Sequence, residues 1–62
     1  MELATDKIKK LMRVYGIKNQ SQLAKEIGES RQVVSLDFIH KRLQRIEKYA
    51  KLFELDYKDL IK

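Results

Sequence analysis

Apolar side chains recur at helical spacing along the whole chain. Ile8, Leu11, Met12 and Tyr15 share one face of a first helix, with Thr5 or Asp6 available to cap it. Met1 to Ala4 is expected to fray, although Leu3 or Ala4 can lengthen the apolar stripe. Gly16 stands where a left-handed residue closes a helix, and Ile17 is placed for the apolar contact of a Schellman ending. A second face, Leu23, Ala24 and Ile27, runs into Gly28, the next left-handed candidate. Asn19 can cap this helix while Gln22 reaches back, a capping box worth about 1 kcal/mol. Ser30 caps a third helix that ends near Phe38 or Ile39 and turns Val34 and Phe38 inward. After a connector Ile39-His40-Lys41-Arg42, a fourth helix carries Leu43, Ile46, Ala50 and Phe53 inward and Gln44, Lys48 and Lys51 outward. Glu47 and Lys51 make an i, i+4 pair worth about 0.2–0.5 kcal/mol. Asp56 caps a last short helix, Tyr57 to Ile61. The pattern predicts an all-α chain of five helices.

The stretch from Asn19 to Ile39 reads as a helix-turn-helix. Two helices that cross at roughly 90–120° need a small residue where they meet, and Ala24 falls there. The outward face of the third helix is Arg31, Gln32 and Ser35. Arg offers a two-pronged donor to guanine, Gln matches adenine, and Ser is short and adaptable, so these side chains suit the reading of base edges in a duplex groove. Val33, beside them, suits a thymine methyl or a protein partner equally.

The run NQSQLAKEIGESRQVVS, Asn19 to Ser35, resembles the helix-turn-helix of bacteriophage repressors and the wider Cro/repressor family of transcription regulators. Ala24, Gly28 and Val34 match its spacing of Ala, Gly four residues on, and Val or Ile six beyond. Tyr49 to Ile61 resembles the family's closing helices, so the likeness spans nearly the whole chain. It implies a five-helix repressor-like bundle that binds a double-stranded DNA operator, with helix three in the major groove. It also implies a homodimer, weak in solution, on palindromic half-sites about 34–36 Å apart. Gln20, just after the cap, is implied to lie against the DNA backbone, where free N–H groups and the helix dipole favour phosphate. Lys18, Asn19, Ser21 and Ser30 are expected to join it, with Lys41 and Arg42 as generic phosphate partners. The chain departs from the family after helix three: the connector is shorter and lacks Gly and Pro. His40 is the stand-in for the missing Gly, being enriched at positive φ. Asp37 replaces a residue that is more often apolar, and its carboxylate would repel phosphate if it faced DNA.

Charge strengthens this picture. Fourteen Lys and Arg face nine Asp and Glu among 62 residues, a net charge of +5, and the pI near 9.6 is above the level that suggests nucleic acid. Lys7, Lys9, Lys10, Arg13 and Lys18 have no acid among them, whereas the last eleven residues hold three acids and two bases. The length predicts one domain, residues 1–62, with no Cys to staple it. Without an apolar run of membrane length or a signal core, the protein is expected to stay in the cytoplasm and to have no membrane partner. The lone His has no Cys partner or carboxylate cluster and there is no Gly-rich phosphate loop, so no enzyme, small-molecule substrate, cofactor or metal site is expected. The alternative is a protein-interaction module, an antirepressor or antitoxin on the same fold. Asp37, the short connector and a surplus of apolar residues at the C-terminal end (Leu52, Leu55, Ile61) fit that alternative. The same three residues are the candidate dimer surface.

Overall fold

One kind of stop signal divides the chain. Each α-helix ends on a left-handed residue, and the N–H that follows donates to a carbonyl five residues back: Ile17 to Met12 (2.8 Å), Glu29 to Ala24 (2.9 Å), Arg42 to Asp37 (3.0 Å) and Leu55 to Ala50 (2.8 Å). The left-handed positions are Gly16 and Gly28, both at φ 73°, Lys41 at 51° and Glu54 at 57°. The turn thereby satisfies carbonyls the helix leaves open, and glycine takes it without steric cost. In the computed structural model, which describes residues 1–62, the resulting elements are α1 (Thr5–Val14), α2 (Gln20–Ile27), α3 (Arg31–His40) and α4 (Ile46–Leu52), then a 3-10 turn (Tyr57–Leu60). The chain is all-helical, with four α-helices rather than five. The expected fifth helix is this tighter turn, opened by Asp56, which accepts from the Lys58 N–H at 3.2 Å.

Several local expectations change. Helix three runs on to His40, and Lys41, not His40, takes the left-handed conformation. Neither Thr5 nor Asp6 caps α1: Ala4 occupies that position, Thr5 is buried inside the first turn, and Asp6 pairs with Lys62 at 3.8 Å. The capping box is offset by one residue, because Gln22 Oε1 accepts from the Lys18 N–H instead of that of Asn19. Glu47 and Lys51 do not pair; Lys48 instead meets Glu29.

The lead-in does not fray. Leu3 is fully buried and forms an antiparallel bridge with Ile61. The Leu3 N–H donates to the Lys41 carbonyl (3.0 Å), Ala4 to Leu60 (2.8 Å) and Lys62 back to Glu2 (2.8 Å). Burying one leucine is worth about 1.5–3 kcal/mol, which together with these backbone bonds offsets the entropy of ordering the lead-in, about 1–2 kcal/mol per residue. The core gathers Leu3, Ile8, Met12, Ile17, Leu23, Ala24, Val34, Ile46, Tyr49, Ala50, Phe53 and Leu60, with Leu52, Leu55 and Ile61 packed against it. These last three are therefore not a free surplus, which removes the basis for placing a dimer surface there. The apolar side chains left most open to solvent are others: Met1 (94% exposed), Val14 (80%) and Ile39 (67%). Tyr15, expected inward, is 44% exposed, but its ring meets Phe53 edge-on at 5.1 Å and its hydroxyl donates to the Phe53 carbonyl.

α3 is fixed to the rest of the core by a buried carboxylate. Asp37 is 0% exposed. Arg45 grips it with two N–H groups, Nε at 2.6 Å and Nη2 at 2.7 Å; Arg42 Nε donates at 2.9 Å and the Tyr49 hydroxyl at 2.9 Å. Burial pushes the Asp37 pKa up, but the bonds from Arg45, Tyr49 and Arg42 outweigh it and hold the carboxyl below its ordinary value. Burial, then the bond to Asp37, pushes the Tyr49 hydroxyl well above the ordinary phenol value.

Removing the charge at the centre leaves two guanidiniums without their counterion, so Asp37→Asn should cost about 3–5 kcal/mol in urea unfolding. That is comparable to the whole stability of so small a core, roughly 3–5 kcal/mol. Tyr49→Phe, which removes one bond to a charged acceptor, should cost about 1.5–3 kcal/mol. Because the folded-state pKa of Asp37 lies below the unfolded value of about 3.9, its contribution is present above that value. It is lost as pH falls through the folded one. Acid titration of the native chain should show this loss as a urea midpoint that falls as pH drops below about 3.9. The left-handed Glu54 is exposed and has no ion-pair partner. Glu54→Gly should therefore raise the stability by about 0.5–1 kcal/mol, relief of backbone strain set against a looser unfolded chain; an unchanged or lower urea midpoint would contradict this.

Candidate nucleic-acid interface

Two helix starts carry most of the expected contact residues. Asn19 is extended, and its Oδ1 accepts from the Gln22 N–H at 2.9 Å. The N–H groups of Gln20 and Ser21 are left without a partner inside the chain, as the first turn of a helix requires unless something outside binds them. Lys18, Asn19 and Ser21 are exposed and Gln20 is half-buried. At the second start, Ser30 Oγ accepts from the Val33 N–H at 3.3 Å. α2 packs against α3, joined through Gly28, Glu29 and Ser30, with Ala24 buried.

The expected base-reading side chains come together. Arg31 and Gln32 are exposed and Ser35 is half-buried. The three alone line one shallow, open depression on α3. Helical geometry puts Arg31 and Ser35 one turn apart with Gln32 beside them. Arg31 is in no ion pair, and no acid lies in the depression. Its five guanidinium donors remain available to an acceptor from outside. Val33 is half-buried, while Leu36 (38% exposed) and Ile39 continue the outward surface toward the C-terminal end of α3.

The connector residues are not part of this grouping. The ten residues of α3 place Lys41 and Arg42 about 15 Å along the helix axis from its start. Lys41 Nζ lies 3.7 Å from Glu2, and Arg42 is committed to Asp37. Arg42 thus has a structural counterion where a free phosphate partner was expected. Asp37 faces the core and presents no charge to a ligand on the outer side of α3.

Sequence reasoning missed the Asp37 cluster, although a signal for it exists. Asp37 follows Val34 by three residues, which puts it on the inward stripe, and Arg42, Arg45 and Tyr49 follow. A carboxylate on a core stripe is tolerated only when cations or hydroxyls come to meet it, and this chain has both within reach. Comparison with protein-family models, with curated proteins and with solved structures found no match.

Proposed function

We propose that the chain is a sequence-specific, double-stranded DNA-binding regulator of the phage repressor type, with α2 and α3 acting as a helix-turn-helix. The observation that carries this reading is the isolated grouping of Arg31, Gln32 and Ser35 on the exposed face of α3, uncountered by any acid. α3 enters the major groove and these three side chains read base edges. Gln20 and Ser21, with their open N–H groups, Lys18, Asn19 and Ser30 hold the flanking phosphates, positioning the reader without contributing base preference. Such a protein works in the cytoplasm, where the bacterial or infecting phage DNA lies, and by covering a promoter it represses.

Size supports two copies on one operator. Half-sites one helical turn apart sit about 34–36 Å centre to centre, and the longest extent of the domain is 25 Å. Two copies of this length fit side by side on such half-sites without overlap, so pairing on DNA needs only a small contact between them and weak association in solution suffices.

A protein-interaction module remains the second reading because Leu36 and Ile39 are exposed on the same helix. The features that suggest it in the sequence are absorbed by the fold: Asp37 is paired, the short connector closes on Lys41, and Leu52, Leu55 and Ile61 are packed.

Selection of bound duplexes from a random pool, at low and physiological salt, tests the reading. An inverted repeat should emerge and persist in salt. Arg31→Ala should lose about 1–3 kcal/mol at one base position, whereas Gln20→Ala should weaken all sequences evenly. A flat pool that releases the protein steeply with salt would sink the regulator reading and turn attention to a protein partner on Leu36 and Ile39.

A further inference from the structure

The outer face of α1 is the largest feature that base reading leaves unused. Lys7, Lys9, Lys10 and Arg13 are exposed, and none has an ion-pair partner. Lys10 is two residues from buried Ile8, about 200° around the helix, so it points away from the core. Lys9 and Arg13 at i, i+4, and Lys7 and Lys10 at i, i+3, are like-charge neighbours that repel one another. The one acid on this helix, Asp6, is taken by Lys62. Carboxylates were available to relieve the repulsion, since Glu26, Glu47, Glu54, Asp56 and Asp59 have no ion-pair partner either, yet none of them pairs with a basic group of α1. This helix packs against the 3-10 turn and, through Tyr15, against the end of α4, whereas α3 packs against α2. The basic face and the depression lined by Arg31, Gln32 and Ser35 therefore belong to elements with different packing partners.

We infer that the outer face of α1 is a second, sequence-independent contact for nucleic-acid backbone, separate from the surface that carries Arg31, Gln32 and Ser35. A phosphate chain supplies closely and regularly spaced negative charge, and binding it replaces the repulsion along α1 with attraction while releasing counterions. The contact goes beyond base reading and does not depend on it.

Two variants of equal formal net charge decide the matter. In one, Lys7, Lys9 and Lys10 become Gln; in the other, Lys25, Lys51 and Lys58, equally exposed and unpaired, become Gln. Glutamine is a good helix former, and circular dichroism verifies that both variants are folded. The measurement is the slope of log K against log salt on a random-sequence duplex. With three fewer phosphates neutralised, the slope should fall by about 2.7 in the α1 variant. It should change by less than one in the other variant and return when Arg replaces the three α1 lysines. Equal falls in the two variants would show that net charge alone matters and overturn the inference. So would an α1 variant that loses binding to anionic phosphatidylserine vesicles but keeps its duplex slope. A chain that selects no sequence, yet shows the α1-dependent slope, would separate the two proposals by removing base reading and keeping this contact.

Discussion

The position of α3 depends on one carboxylate kept out of water. A buried charge costs several kcal/mol to desolvate, and only full hydrogen bonding offsets that cost. Asp37 obtains it from Arg42, Arg45 and Tyr49, and each donor comes from chain that follows α3. The cluster therefore joins the second half of α3 to the connector and to α4 in one bonded unit. A purely apolar contact of the same size would tolerate sliding by part of a turn. A bidentate guanidinium is much less forgiving of geometry, so it sets the register of α3 as well as its distance. The outward direction of Arg31, Gln32 and Ser35 follows from that register.

Most of the helix pattern was legible because it rests on local chemistry. Asn19, Gly28, Ser30 and Asp56 act within a few residues of themselves, and each does in the structure what its type allows. Arg31, Gln32 and Ser35 could likewise be grouped from helical spacing alone, and in the structure they line one depression on α3. What they bind is a separate matter, to which spacing adds only suitability. The misreadings occurred where distant parts of the chain meet. Leu3 looked free because its partners, Lys41 and Ile61, lie far along the sequence. Arg42 reads as a surface cation in the sequence because nothing local pairs it with Asp37, five residues before it and buried in the fold. Leu52, Leu55 and Ile61 exceed the core that the helical stripes alone define, and Leu3 and Tyr49 enlarge that core enough to take them.

The connector after α3 is shaped by local preference and by a distant contact together. A left-handed residue was needed there, and His40 was the candidate by statistical preference. The helix instead continued to His40 and gave the position to Lys41, although lysine gains nothing locally from it. Asp37 explains the choice: its carbonyl takes the N–H of Arg42 and its carboxylate takes the guanidinium of the same residue. Backbone and side chain of Arg42 thus close on one residue, and the turn must fall at Lys41 for both to reach.

The pairing of Leu3 with Ile61 has a bearing on how the domain is handled from outside. Both ends of the described chain leave from a single corner, and the bond from Leu3 to Lys41 puts that corner at the C-terminal tip of α3. A tag, a tether or a fused neighbour attached at either end emerges one helix length from Arg31 and leaves the front of α3 unobstructed. Tension applied between the two ends peels the short terminal ladder apart, one pairing at a time, before it reaches the helices. The corner therefore serves as the anchorage of the domain, and the face with Arg31 as its free end.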